Sequence, residues 1–188
     1  MRMREIFDIV GSYPLTEGRD APLYHATPLD RAVQIIRSNA ILDRASVTRK
    51  MYPDDDHDEN SAGMTSNWLA SGEKISGVNL TRDLRFAGAY DNDVVFALDQ
   101  RRLAQRHRII PMDHARVMNK LFHGDGEWPD HTPDDSEALE LVPGPINDLN
   151  RYLLWVYAGP ACRNEDAEAY AFVSKHSKFV HALPRAGR

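Results

Sequence analysis

The sequence holds a single cysteine, Cys162, among 188 residues. One thiol forms no internal disulfide and builds no multi-cysteine metal site. No apolar run approaches the roughly 20 residues that a membrane-spanning helix needs, so no membrane partner is expected. The opening MRMREIFDIVGSY has no hydrophobic stretch followed by a cleavage site, so no secretory leader is expected. These absences together fit a cytoplasmic protein. No HExxH pair occurs among the eight histidines, which argues against a zinc protease. No GxxxxGK[ST] loop and no GxSxG elbow occurs, which argues against a P-loop nucleotidase and a serine hydrolase. Positive charge is also in short supply. The net charge of -5 argues against broad, non-specific attraction to nucleic acid while leaving room for a local basic groove.

What is present is enough to build a core. Apolar residues make up 42% of the chain, and the length suits one domain over residues 1–188. PLYHA reads as a strand that ends on His25 and Ala26 and turns at once into a helix. Thr27 is placed to cap that helix, Pro28 sits at its first position, and Asp30 completes a capping-box pattern. Leu29, Ala32, Val33 and Ile36 fall on one helical stripe, and Asn39 can take the left-handed conformation that ends it. A long polar insert follows, near 43–76. Its DDDHDEN tract alternates Asp54, Asp56 and Asp58 like a calcium loop, but Glu59 and Thr65 stand where such a loop needs glycine and glutamate. A solvated acidic loop fits better, and no metal site is assigned.

Further on, ISGVNLTRD reads as strand and turn, LRFAGAY as a short helix, and DVVFALD as a buried strand. QRRLAQR reads as a helix, and HRIIPMD as a strand with a loop. HGDGEWPDHTPDDS is a second polar insert. EALELVPGPINDLNRYLLWVYAG reads as strand, turn, short helical segment and strand, and NEDAEAYAFVSKHSKFV as a terminal helix. Strands and helices do not alternate regularly, so the class is α+β.

Three segments can carry chemistry: LYHAT with His25, GVNLTRDLRFAGAY, and SEALELV with Glu137 and Glu140. In this order they resemble the ADP-ribosyltransferase-like fold, over roughly residues 23–158. That family includes poly(ADP-ribose) polymerases, RNA 2′-phosphotransferases, DNA-modifying toxins and many small bacterial and phage proteins. The resemblance implies a mixed or antiparallel split sheet with flanking helices. LYHAT matches the family's first strand. GVNLTRD is similar to the second, where many small members read V-S-L-T-R and Asn79 takes the Ser or Tyr slot. FAGAY resembles the helix whose aromatic, here Tyr90, stacks on nicotinamide. ALELVPGPI resembles the glutamate strand and points to Glu140, with Glu137 as the competing choice.

By that resemblance the substrate is NAD and the reaction transfers ADP-ribose to a protein or nucleic-acid target, in a toxin or phage setting. The residue types suit it. A carboxylate at Glu140 or Glu137 stabilises the positive charge that builds on ribose as the glycosidic bond breaks. His25 orients a ribose, the backbone of Ala26 and Thr27 meets the nicotinamide amide, and Tyr90 offers a flat face. Asn79 and Thr81 line the second strand, and Arg82 offers a fork of donors to the pyrophosphate.

Each of these residues also has a plain structural role open to it. His25 can be a satisfied core histidine, Phe86 and Tyr90 share one helical face, and Glu140 can simply face water. Two further readings follow the resemblance. One is a catalytically inactive binding or phage-associated protein, which Asn79 favours. The other is an RNA 2′-phosphotransferase, for which Arg44, Arg49 and Arg82 are the candidates. The polarity of residues 46–73 suggests a flap beside the site. Limited proteolysis is expected to cut first between Ser46 and Glu73; early cleavage elsewhere, with that stretch intact, counts against the flap.

Overall fold

The computed structural model describes residues 21–43, 46, 67–68, 74–82, 84, 93–113 and 138–183. The first expected helix, the FAGAY helix with Tyr90, Glu137, Arg44, Arg49, the acidic tract 54–60 and the second polar insert lie outside the described residues, as does most of the insert near 43–76.

The described elements run β1 (Pro22–Pro28), α1 (Leu29–Ser38), β2 (Asn67–Trp68), β3 (Lys74–Ile75), β4 (Gly77–Thr81), β5 (Asp93–Asp99), α2 (Gln100–Ala104), β6 (Ile110–Asp113) and β7 (Ala138–Pro143). After a 3-10 turn at Leu149–Arg151 come β8 (Leu153–Ala158), α3 (Cys162–Glu165) and α4 (Ala167–Ser174). Six strands form one sheet in the order β6-β7-β4-β1-β5-β8, and every neighbouring pair is antiparallel. With helices packed on it, this is the α+β fold expected. β2 and β3 form a separate two-stranded ribbon.

The alternation of side chains along each strand sorts the core into two faces. Leu23, Val78, Leu80, Val94, Phe96, Val142 and Val156 meet the buried stripe of α1 (Leu29, Ala32, Ile35) and Val173 of α4. On the other face Tyr24, Leu84, Val95 and Ala97 cluster, with the rings of Tyr24 and Trp155 5.8 Å apart. β5 is buried on both faces from Val94 to Leu98, which is why its sequence is a continuous apolar run and not an alternating one.

α1 ends as its sequence anticipates. Asn39 has φ 53° and ψ 36°, and its side-chain Oδ1 accepts from the Asn150 N–H at 2.9 Å, tying the helix end to the 3-10 turn. Its start differs from expectation. The strand runs on to Pro28, which occupies the cap position, while Thr27 remains in β1 opposite Val94 and makes no cap hydrogen bond. Full pairing of β1 with β5 outweighs the single bond that a threonine cap contributes. The terminal helix is also shorter than read. Asp166 takes an extended conformation between α3 and α4, and its carboxylate accepts from the Glu168 and Ala169 N–H groups, so it begins a new helix instead of continuing the old one. α4 packs against α1, where the Arg37 guanidinium lies 5.0 Å over the Phe172 ring.

The outer edge of β8 is occupied. Val156 N–H donates to Lys178 O at 3.0 Å and Val180 N–H donates to Val156 O at 2.8 Å, so the segment after α4 adds a short parallel bridge. Lys178 Nζ reaches back to Asn150 O at 2.9 Å and to Leu153 O, holding that segment down.

β7 leaves no room for a side chain at Gly77 of β4. A Cβ there would sit 2.5 Å from Val142 O and 2.7 Å from Leu141 Cδ1, and the oxygen is backbone that cannot swing aside. Gly77→Ala is therefore expected to destabilise by about 1–3 kcal/mol, the usual range for overpacking, read as a lower urea midpoint. An unchanged midpoint would show that the two strands part without cost.

Candidate functional site in the split between β1 and β4

β1 is held unequally by its two neighbours. It pairs with β5 along seven residues, from Pro22–Asp99 to Pro28–Asp93, but with β4 only at Tyr24–Thr81. β4 in turn pairs with β7 at five positions, from Gly77–Pro143 to Thr81–Leu139. Past Tyr24 and Thr81 the two middle strands therefore part, each tied to its own half of the sheet. The β4 lip has a second anchor. Ser76 Oγ donates to the carboxylate of Asp43, which is only 3% exposed, and Gly144 N–H donates to Ser76 O at 3.0 Å.

His25 stands where the split begins. Its Nδ1 lies 3.1 Å from the backbone oxygen of Asn79, on the opposite lip. A carbonyl oxygen only accepts, so Nδ1 carries the proton and Nε2 presents a lone pair. Crowding by surrounding protein pulls the imidazole pKa below its ordinary value of 6.5, the Arg31 charge lowers it further, and the Asn79 carbonyl only partly offsets these. The ring is thus neutral at pH 7. It remains half-buried, not sealed in the core.

The other candidates fall into place by register. Leu80 stands opposite Glu140, one step beyond the Tyr24–Thr81–Leu139 row, and His25 is the matching step on β1. His25 and Glu140 thus lie on the two strands that flank β4, on either side of Leu80. Asn79 alternates with the buried Val78 and Leu80, so its exposed side chain leaves by the opposite face from theirs. Thr27 and Thr81 are buried, and Ala26 packs partly against the Tyr24 cluster. Arg82 follows β4, and its Nη1 donates to Gln100 Oε1 at 2.9 Å, fixing the guanidinium against the start of α2.

Asp43, Ser76 and Gln100 escaped the sequence reading. Nothing in the polar insert marks Asp43 as buried, and Gln100 reads only as a helix residue. Cys162 is fully buried. Burial and the nearby Glu165 charge push its thiol above the ordinary pKa, and its Sγ lies 3.7 Å from Asp93 O.

The six-stranded order with its central parting is an ADP-ribosyltransferase-like fold. Among solved structures the chain is similar to Thermosipho africanus DarTG in complex with ADP-ribose, with TM-score 0.51 and 17% identity, over 85% of this chain and 49% of that one. The chain thus spans about half the length of the Thermosipho protein. It is also similar to Thermus sp. 2.9 DarT in complex with NAD+, with TM-score 0.48 and 14% identity over 93% of this chain and 96% of that one. A further likeness is to Thermus sp. 2.9 DarT in complex with ADP-ribosylated ssDNA, with TM-score 0.48 and 12% identity over 92% and 94%. No protein-family model matches the chain. No curated protein sequence matches it either.

The pKa directions give a test of stability. His25, His107 and His176 all lie below 6.5, chiefly through burial, with Arg106 acting on His107 and Lys178 on His176. Above pH 6.5 each ring is neutral in both the folded and unfolded chain. As pH falls below 6.5 the unfolded chain takes up protons first, so the folded state loses stability until the folded pKa values are passed. Urea midpoints are expected to drop between pH 7.5 and 5.5, and less so in His25→Gln. A midpoint independent of pH would show the rings charging without penalty.

Proposed function

We infer that the chain binds NAD in the split between β1 and β4 and transfers ADP-ribose to a macromolecule. The observation that carries this is His25: a neutral imidazole at the mouth of the parting, its proton committed to Asn79 O and its Nε2 left as an acceptor. A ribose hydroxyl can donate as well as accept, so the Nε2 lone pair of the neutral ring can take its O–H. The ADP-ribosyltransferase-like fold and the structure of a similar protein holding ADP-ribose support the reading.

In this proposal the bond between nicotinamide nitrogen and ribose C1′ breaks, and its electron pair leaves with neutral nicotinamide. The acceptor attacks C1′ and gives up its proton. Glu140, opposite Leu80 on β7, supplies the negative charge that faces the cationic ribose, with Glu137 as the competing choice. Arg82, oriented by Gln100, meets the pyrophosphate. Ala26 and Thr27 meet the nicotinamide amide, Asn79 and Thr81 line the β4 lip, and Tyr90 stacks on the ring. A toxin or phage role, a cytoplasmic setting and a single domain over residues 1–188 belong to the same proposal.

Asn79, exposed on β4 in the slot where the resemblance implies Ser or Tyr, favours one second reading: a domain that binds NAD without turning it over. Nicotinamide release separates the two. Glu140→Gln is expected to slow release by about 10²–10³ while NAD binding survives. His25→Ala is expected to weaken NAD binding about tenfold with little change in melting temperature. Unchanged release in Glu140→Gln moves the role to Glu137. Wild-type protein that binds NAD but releases no nicotinamide, with candidate acceptors supplied, supports the binding domain.

A further inference from the structure

We propose that the arginine-rich turn from Arg101 to Arg108 is a docking surface for the phosphate backbone of a nucleic-acid strand. Arg101, Arg102, Arg106 and Arg108 are all exposed, while Leu103 between them is buried and anchors α2 on the core. Residues 100–112 contain no Asp or Glu. The chain carries a net charge of -5, so setting these four positive charges aside leaves -9 on the rest. Positive charge is therefore concentrated here against the trend of the molecule, and such a patch focuses attraction for anions.

Part of the patch is preorganised. Arg102 Nε lies 3.2 Å from Asp99 Oδ2, and Arg102 Nη1 donates to Arg151 O at 3.5 Å, which brings the exposed Arg151 alongside. Among the described residues Arg101, Arg106 and Arg108 make no ion pair, so no carboxylate need be displaced before they bind. The position is also apt. Gln100, which opens α2, accepts from Arg82 at the end of β4, so the patch begins where the candidate site ends.

The occupant follows from side-chain chemistry. All four charges are guanidinium groups, whose planar forks match phosphate oxygens two at a time. Protein interfaces centre on buried aromatic or aliphatic anchors; here the one large exposed hydrophobic among the described residues is Leu154, on β8. A membrane surface would need apolar residues beside the charges, which the turn lacks.

The test uses the full chain without NAD, so its outcome does not depend on the enzyme reading. Binding of a fluorescent mixed-sequence 20-nucleotide single strand is followed by anisotropy at several salt concentrations. R101A/R106A/R108A is expected to bind about tenfold or more weakly, with a salt slope smaller by about 2 if each arginine meets one phosphate. Its melting temperature should match wild type. R101K/R106K/R108K, which keeps charge and loses the forks, should fall between. Unchanged affinity in the alanine variant, no binding by wild type, or equal binding of a polyglutamate peptide would each overturn the proposal. Failure of nicotinamide release with oligonucleotide binding intact would count against the enzyme reading alone.

Discussion

β1 has seven register pairs with β5 and one with β4, and much of the architecture depends on that inequality. Hydrogen bonds along β5 hold β1 in the centre of the sheet, where Leu23 and Tyr24 reach the two separate clusters. Hydrogen bonds along β7 hold β4 in the other half. A sheet bonded evenly throughout would continue the pairing of β1 and β4 beyond Tyr24 and Thr81. The parting persists because each strand is fixed by its outer neighbour, with Gly77 tight on Val142 and Ser76 bound to buried Asp43. Between them His25 Nδ1, at hydrogen-bond distance from Asn79 O, bridges the lips and sets the tautomer of the ring.

Much of the fold was legible in the sequence where burial and period coincide. DVVFALD could only be a strand covered on both faces, and α1 declared itself through Leu29, Ala32 and the left-handed Asn39. What failed was local. Thr27 followed by proline has the look of a cap, yet a threonine opposite Val94 is worth more to the ladder than to the helix. Asp166 lay inside a stretch read as one helix, and only its extended backbone reveals that it starts a second. In both places a short-range preference competed with a longer-range requirement, which neighbouring residues alone do not report.

The candidate site was legible to a different degree. His25 stood out as a histidine at an expected strand end; β1 runs on to Pro28 and puts it mid-strand, where its partner is the backbone of a residue 54 positions away in the chain. Where Glu140 sits, opposite Leu80, needed the register of β7 on β4, and register comes from pairing across the sheet, not from spacing along it. Asp43 and Gln100 were invisible for the same reason. Their importance lies wholly in partners far along the chain, Ser76 and Arg82.

The short parallel bridge on β8 has a consequence for how the molecule meets other molecules. An open strand edge is a template on which a stranger's strand can form, and the row of donors and acceptors along β8 would be such a template. Lys178, Phe179 and Val180 occupy it at Val156, and the Lys178 ammonium pins them to Asn150 and Leu153. The segment after α4 thus acts as a built-in guard against runaway sheet growth. A variant that loosens it, such as one lacking the Lys178 charge, would present its weakness as aggregation on storage before any loss of fold.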